Sequence, residues 1–311
     1  MKAAVIHQYG QVADVVQVTD IPVPAVGPQD VLIEVRAAGV NPVDHLIVKG
    51  FMAAGELPGP LAIGSEVAGV VSAVGDEVTG FSVGDEVFSR VDPRVGGGFA
   101  EYVAVNRALV AAKPSNLSFE EAASLPLVAL TAWQALTEQS DVRAGSRVLI
   151  HGGAGGVGSA AVQIAKQLGA EVVATASTGS TELVRELGAD QVVDYRNEKF
   201  DEVLSGIDVV LDTIGGDTQE RSLRVLKPGG SLVSIVPVPD ADAMKAQWNV
   251  DVRSFLMRPH GEQLARLADL AESGRLRPIV ETVFPLDETP AALLKVERGG
   301  ARGKTVIGVR S

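Results

Sequence analysis

Arg147-Val148-Leu149-Ile150-His151-Gly152-Gly153-Ala154-Gly155-Gly156-Val157-Gly158 is the stretch that decides the fold. The short apolar run reads as a buried strand, and the glycines after it read as a tight turn. Helical periodicity follows, with Val157, Ala160, Ala161, Ile164, Ala165 and Leu168 on one face and Gly169 where a left-handed cap ends a helix. Gly153, Gly155 and Gly158 have the spacing of a dinucleotide-binding turn. In that assignment Gly153 permits the sharp turn, Gly155 lets backbone approach a pyrophosphate, and Gly158 lets helix and strand pack closely. The free amides at the helix start, on Gly156, Val157 and Gly158, then face the negative ligand. A glycine pattern by itself also describes a plain loop; the strand before it and the capped helix after it select the nucleotide site.

Composition bounds what surrounds that turn. At about 150 residues per domain, 311 residues suggest two domains, each with its own core. The hydrophobic fraction of 46% is ordinary for a globular chain. A formal charge of −12 argues against nucleic acid or an anionic membrane as partner, because both reward basic patches. With no cysteine, disulfides and thiolate chemistry are excluded. No basic segment followed by an apolar core opens the chain, and no apolar run is long enough to span a bilayer, so a cytoplasmic protein is expected.

Before the turn the pattern is short strands. Lys2 to His7 reads as the first. Val31, Ile33, Val35 and Ala37 alternate with Leu32, Glu34 and Arg36, the period of a half-buried strand. Glu66 to Val74 and Phe99 to Val105 are further strands, with Gly-Asp turns between, which predicts a small antiparallel barrel. The pattern changes after Pro114. Ser118 reads as a helix N-cap with Glu120 and Glu121 in the first turn, and a second helix covers Ala129 to Gln139. Beyond the glycines, strands at 171–176, 191–194, 209–212 and 231–236 alternate with helices at 181–187 and 219–226. Such alternation implies a parallel sheet with helices on both faces. Pro228-Gly229 is a turn before the 231–236 strand. A helix at 262–273 precedes a tail that returns to the first domain.

Five pieces, in this order, carry a resemblance. They are Gly39-Val40-Asn41-Pro42-Val43-Asp44, Gly64-Ser65-Glu66-Val67-Ala68-Gly69-Val70-Val71, Gly98-Phe99-Ala100-Glu101-Tyr102, Leu125-Pro126-Leu127-Val128-Ala129-Leu130-Thr131-Ala132, and the glycine stretch. Over almost its whole length the chain resembles the medium-chain dehydrogenase/reductase superfamily, and within it the zinc-independent quinone oxidoreductases. The resemblance implies an α/β protein: a GroES-like β-barrel catalytic domain over 1–121, a doubly wound Rossmann domain over 122–261, and a return to the catalytic domain over 262–311. It implies a cleft where the domains meet and a homodimer as well.

Zinc alcohol dehydrogenases of this superfamily use a cysteine near the Asn41 position and a histidine where Ser65 stands. A catalytic zinc needs three N, S or O ligands and an open position. With serine in the histidine slot and no cysteine, no catalytic metal is expected.

The choice of cofactor rests on the end of the second Rossmann strand, Ala174-Thr175-Ala176-Ser177-Thr178-Gly179-Ser180, which has no carboxylate. An acid there binds the ribose hydroxyls of NADH. Facing the 2′-phosphate of NADPH it would cost about 4 kcal/mol, for unit charges ~4 Å apart at an effective dielectric near 20. Its absence permits NADPH, and the hydroxyls of Ser177, Thr178 and Ser180 are candidate donors to that phosphate. Glu182 complicates this, since its direction is not fixed by sequence. By resemblance, Tyr195 lies nearby and Arg302 and Lys304 approach the cofactor; helix-capping hydroxyls and ordinary surface charges are the plainer alternative.

With no metal to polarise a carbonyl, the cofactor supplies hydride, and quinones or α,β-unsaturated carbonyls suit it because conjugation spreads the incoming charge. By resemblance Asn41 and Asp44 border the nicotinamide and Thr131 lies against the cofactor. Asn41 is a candidate donor to a carbonyl, and His45 a candidate acid for the enolate. Turn formation for Asn41 and Asp44, and a solvent contact for His45, are the alternatives. Trp133 and Trp248 are assigned to packing first and to the pocket second. NADPH-dependent reduction of a quinone or enone is therefore expected. An enoyl-thioester reductase of secondary metabolism and a non-catalytic NADPH-binding protein stand as alternatives.

Overall fold

The computed structural model describes residues 1–310 except 52, 54, 58, 93 and 94. The chain forms two compact units: Met1–Leu130 with Pro259–Gly274 and Pro278–Ser311, and Thr131–Arg258 with Arg275–Arg277. The division between them falls inside the helix Pro126–Gln134.

In the first unit the strand Asp30–Val40 is the spine of a seven-stranded sheet, pairing with Glu66–Val74, Tyr102–Asn106 and Lys304–Gly308. Its residues 31–37 alternate as the sequence predicts, except that Leu32 is also buried, and from Ala37 to Val40 both faces are covered. All pairings in this sheet are antiparallel except Val280–Pro285 with Lys304–Gly308. A three-stranded sheet carries Lys2–Ile6 between Gln17–Asp20 and Leu61–Ala62. The strand predicted from Phe99 begins only at Tyr102. Phe99 is instead a fully buried side chain whose carbonyl accepts from the Ala4 amide. Ser118 caps the helix Phe119–Ala123 as a capping box: its hydroxyl accepts from the Glu121 amide, and the Glu121 carboxylate accepts from the Ser118 amide. The helix predicted to Gln139 is α-helical over Pro126–Gln134 and ends in a π turn over Ala135–Gln139.

The second unit is one six-stranded parallel sheet. Taken in chain order, its strands are Arg147–Ile150, Glu171–Ala176, Gln191–Asp194, Ile207–Asp212, Leu226–Ser234 and Asp251–Ser254. They lie side by side as 3-2-1-4-5-6. This is the doubly wound Rossmann order, whose ligand crevice opens outside the carboxyl ends of the strands where the order reverses, at the first strand. The core packs Leu149, Val173, Ile207, Val210 and Leu232 from four adjacent strands, with Trp248 against it. Pro228-Gly229 lies inside the fifth strand instead of before it. The partner register shifts there between Ile207 and Val209, so the turn dipeptide has become an irregularity of a longer strand. The sixth strand, Asp251–Ser254, has two exposed residues and no apolar run to signal it. No helix among the described residues is long and apolar enough to cross a membrane.

Candidate functional site

In the second unit the strand Arg147–Ile150 runs into the glycine turn, and the helix Gly156–Gln167 leaves it with Gly155 as N-cap. The structure reassigns one glycine. The left-handed backbone is at Gly152, with φ of 67°, so Gly152 and not Gly153 makes the sharp turn. Gly153 serves packing: a Cβ there would sit 2.9 Å from Ala174 Cβ and 3.1 Å from Val184 Cγ1. A Cβ on Gly158 would lie 2.1 Å from the Gly152 carbonyl oxygen, so helix and turn approach as closely as the spacing predicts. On Gly155 it would meet only that same oxygen, at 3.3 Å. The amides of Gly156, Val157 and Gly158 are in the first turn, where a helix offers no internal acceptor, and glycine at the cap brings no side chain to compete for them. The donor set fits a diphosphate.

The strand ends beside the turn are tied by polar groups that sequence reasoning missed. Asp212, fully buried at the end of its strand, accepts from the amides of Ile214 and Gly215 at 2.9 and 3.0 Å through Oδ1. Its Oδ2 accepts from Ser234 Oγ at 2.8 Å and Gln219 Nε2 at 3.0 Å. A carboxylate closing the apolar run Val209-Val210-Leu211 was the available signal. His151 is buried between Thr175 Oγ1 at 3.2 Å and Ser222 Oγ at 2.9 Å, and burial pushes its imidazole down to about 4, against the pull of Asp212.

The adenosine-side candidates are only partly as expected. Ser177 Oγ donates to Ser180 Oγ at 3.3 Å, and Tyr195 is exposed. Thr178 is a correction: its hydroxyl donates to Asp194 Oδ2 at 2.6 Å, so that proton is not offered to a phosphate. Glu182 points toward Arg185 in an exposed ion pair. Thr131 is buried at the start of the second unit.

In the first unit the resemblance-derived residues gather into a buried polar cluster. Asp44 Oδ1 accepts from Ser65 Oγ at 2.6 Å, and Oδ2 accepts from the Asn41 amide at 2.8 Å, the reach-back of an N3 acid at the start of the helix Pro42–Val48. Asn41 Nδ2 donates to Glu66 Oε1 at 2.7 Å. Lys304 donates to Glu66 Oε1 at 2.7 Å, to the Val40 carbonyl at 2.9 Å, and to Asn41 Oδ1. Glu66 Oε2 accepts from the Leu127 amide at 2.7 Å, and Arg90 Nη1 donates to the Ser65 carbonyl at 2.6 Å. All six side chains are buried.

Two expectations change here. The three donors of the Lys304 ammonium are all taken, so it is a structural cation and not a contact to a cofactor. The Asn41 amide is turned to Glu66 and is not aimed at a substrate carbonyl. Arg302 is exposed, its amide donating to Glu281. His45 lies about 100° around the helix from Asp44. Its charged neighbours are Glu297 and Lys49; burial holds its pKa below the usual value, and its Nδ1 is buried without a partner. Asp44 moves the other way. Burial raises it from 3.8 to about 6, in spite of Ser65, Arg90, the Asn41 amide and Lys304, which all favour the charge.

Comparison with known proteins accords with this architecture. Residues 27–115 match the family described as alcohol dehydrogenase GroES-like domain, and residues 187–307 match zinc-binding dehydrogenase. A 2-methylene-furan-3-one reductase of Solanum lycopersicum is 38% identical, over 99% of this chain and 79% of that protein. The quinone oxidoreductase structure from Coxiella burnetii is 35% identical with a TM-score of 0.90, covering 100% of this chain and 99% of that one. The Escherichia coli quinone oxidoreductase, solved in complex with NADPH, is 27% identical with a TM-score of 0.88, covering 99% and 100%. The zinc in the second family's description does not fit this chain. Ser65 donates its hydrogen bond to Asp44, the two carboxylates of the cluster already face Lys304 and Arg90, and no group of three or more metal-binding side chains occurs among the described residues. The chain belongs to the medium-chain dehydrogenase/reductase superfamily, among its quinone and enone oxidoreductases.

Proposed function

We propose that this protein is an NADPH-dependent, zinc-independent oxidoreductase that transfers hydride to a quinone or an α,β-unsaturated carbonyl. One observation carries it: a glycine turn and an open helix N-terminus at the switch point of a 3-2-1-4-5-6 parallel sheet. The relatives, a 2-methylene-furan-3-one reductase and two quinone oxidoreductases, support the acceptor class.

When bound, the reduced nicotinamide supplies the hydride. The amides of Gly156, Val157 and Gly158 hold the diphosphate, and Ser177, Ser180 and Tyr195 flank the adenosine end. Thr131, from the helix Pro126–Gln134, and Arg302 remain candidate contacts. Asp44 serves as the proton store, since a carboxyl with a pKa of about 6 carries a proton for part of the time near neutrality. Ser65 Oγ is the atom it shares that proton with. Asn41 positions Asp44 and does not itself donate to substrate. A homodimer and a cytoplasmic setting complete the proposal, to be checked by light scattering and cell fractionation.

The test is oxidation of NADPH and of NADH against a panel of quinones, enals, enones and enoyl thioesters. Turnover of at least one quinone or enone with NADPH preferred is expected. Tight NADPH binding with no turnover on the whole panel would favour the non-catalytic alternative, and exclusive turnover of thioesters the enoyl reductase.

A further inference from the structure

An adenosine 2′-phosphate brings up to two negative charges, and hydroxyl groups alone do not neutralise them. The loop that leaves the second strand, Ser177-Thr178-Gly179-Ser180-Thr181-Glu182, contains no cation, and Arg185 beyond it faces Glu182. The third strand ends alongside: Ala176 is in register with Asp194, and the Tyr195 amide donates to the Ala176 carbonyl at 3.1 Å. Here the chain places Tyr195, 54% exposed, with the exposed guanidinium of Arg196 over its ring, 5.8 Å from the centroid. Lys199, the next cation, pairs with Glu202.

Asp194 is the one carboxylate at these strand ends, and the structure shields it on three sides. Thr178 Oγ1 and Asn197 Nδ2 donate to Oδ2 at 2.6 and 2.7 Å, and the Arg196 amide donates to Oδ1 at 3.1 Å. These bonds hold its pKa below the usual carboxylate range and fix the Tyr195-Arg196 bend against the loop after the second strand. Thr178, spent on Asp194, thus organises the subsite from behind.

We propose that Arg196, beside the Tyr195 ring, reads the 2′-phosphate of the nucleotide and sets the preference for NADPH over NADH. The inference rests on the nucleotide binding at the glycine turn proposed above. The guanidinium is planar, permanently charged and within cation–π reach of the ring, a group suited to forked contact with phosphate oxygens. A ribose 2′-hydroxyl has no charge for it to meet.

The experiment is equilibrium titration, by nucleotide fluorescence and calorimetry, of the wild type, R196A, R196K and R196E with NADPH, NADH, 2′,5′-ADP and 5′-AMP. Losing a charge-assisted contact to phosphate predicts NADPH and 2′,5′-ADP binding weakened about 10- to 100-fold in R196A. NADH and 5′-AMP should stay within about 2-fold, with R196K intermediate and R196E worst for the phosphorylated pair. An unchanged NADPH-to-NADH ratio in R196A, or equal weakening of both nucleotides, overturns the role of Arg196 while leaving the glycine-turn site standing. A wild type that binds none of the four overturns that site itself.

Discussion

Replacing Asp44 with asparagine isolates the energetic cost of keeping this carboxyl inside the first unit. Asparagine has nearly the same shape. Its carbonyl oxygen accepts from the Asn41 amide, and its NH2 donates to a rotated Ser65 hydroxyl, so both contacts of Asp44 survive. What disappears is the titration. In the folded protein burial lifts the carboxyl from 3.8 to about 6, which at 1.36 kcal/mol per pH unit is about 3 kcal/mol. The sign follows from proton counts. Between those values the native state holds more protons at this site than the unfolded chain, so stability is fully present below 3.8 and is lost as pH rises through about 6. His151 works in the opposite direction. Its imidazole is kept neutral down to about 4, so its contribution is present above 6.5 and is lost as pH falls through about 4. The two windows overlap, and a wild-type profile mixes them. D44N removes one of them. Urea unfolding followed by far-ultraviolet circular dichroism, at steps from pH 4 to 8, should show D44N gaining about 2 kcal/mol of that total on the wild type as pH rises, with most of the gain by pH 7. D44N should also be the more acid-sensitive protein. If the units unfold in separate transitions, the change belongs to the transition of the first. A difference between the two proteins that is flat across this range, or of the opposite sign, would falsify the assignment of Asp44 as a buried carboxyl kept partly protonated.

Three further outcomes follow from the same contacts. Gly158→Ala places a methyl 2.1 Å from the Gly152 carbonyl oxygen, so the turn must open; NADPH affinity measured by fluorescence enhancement should fall at least about 10-fold, while Gly155→Ala, with more room, loses less. Lys304→Met leaves the Glu66 carboxylate buried without its cation and should destabilise the protein by about 3–5 kcal/mol in urea, with E66Q/K304M recovering part of the loss; equal stability of K304M and wild type would remove Lys304 from its structural role. Dialysis against a chelator should leave the rate unchanged and elemental analysis should find far less than one zinc per chain. Stoichiometric zinc lost together with activity would overturn the zinc-independent assignment.

The second unit was legible where periodicity and glycine spacing act locally. The strand Arg147–Ile150, the turn and the helix Gly156–Gln167 follow from residues within twenty positions of one another. The assignment of the sharp turn to Gly153 failed because spacing identifies a set of glycines, and only the backbone shows that Gly152 holds the positive φ. Asp251–Ser254 escaped because an edge strand is held by backbone pairing to Ser231–Ser234 and carries no apolar alternation of its own. Resemblance picked out Asn41 and Asp44, but what they touch is non-local. Glu66 lies 25 residues from Asn41, and Lys304 lies 263 from it, so no window of sequence joins them. Hydroxyls near a strand end read as free donors in the sequence. Thr178 has Asp194 as its acceptor only because the second and third strands end side by side.

The buried cluster balances its carboxylates with cations and donors of the chain itself. Isolated, two carboxylates inside the protein would each cost several kcal/mol in lost hydration. Here Asp44 and Glu66 face Arg90 and Lys304, and the amides of Asn41 and Leu127 with the Ser65 hydroxyl take up further carboxylate lone pairs. The ammonium of Lys304 reaches the cluster from a strand that pairs with Ala37–Val40, so the strand that joins the sheet also brings Glu66 its cation. Glu66 has the closest cation, at 2.7 Å, whereas Asp44 is balanced only through space and by neutral donors. Burial therefore dominates at Asp44, raising its carboxyl to about 6 and leaving it able to exchange a proton near neutrality.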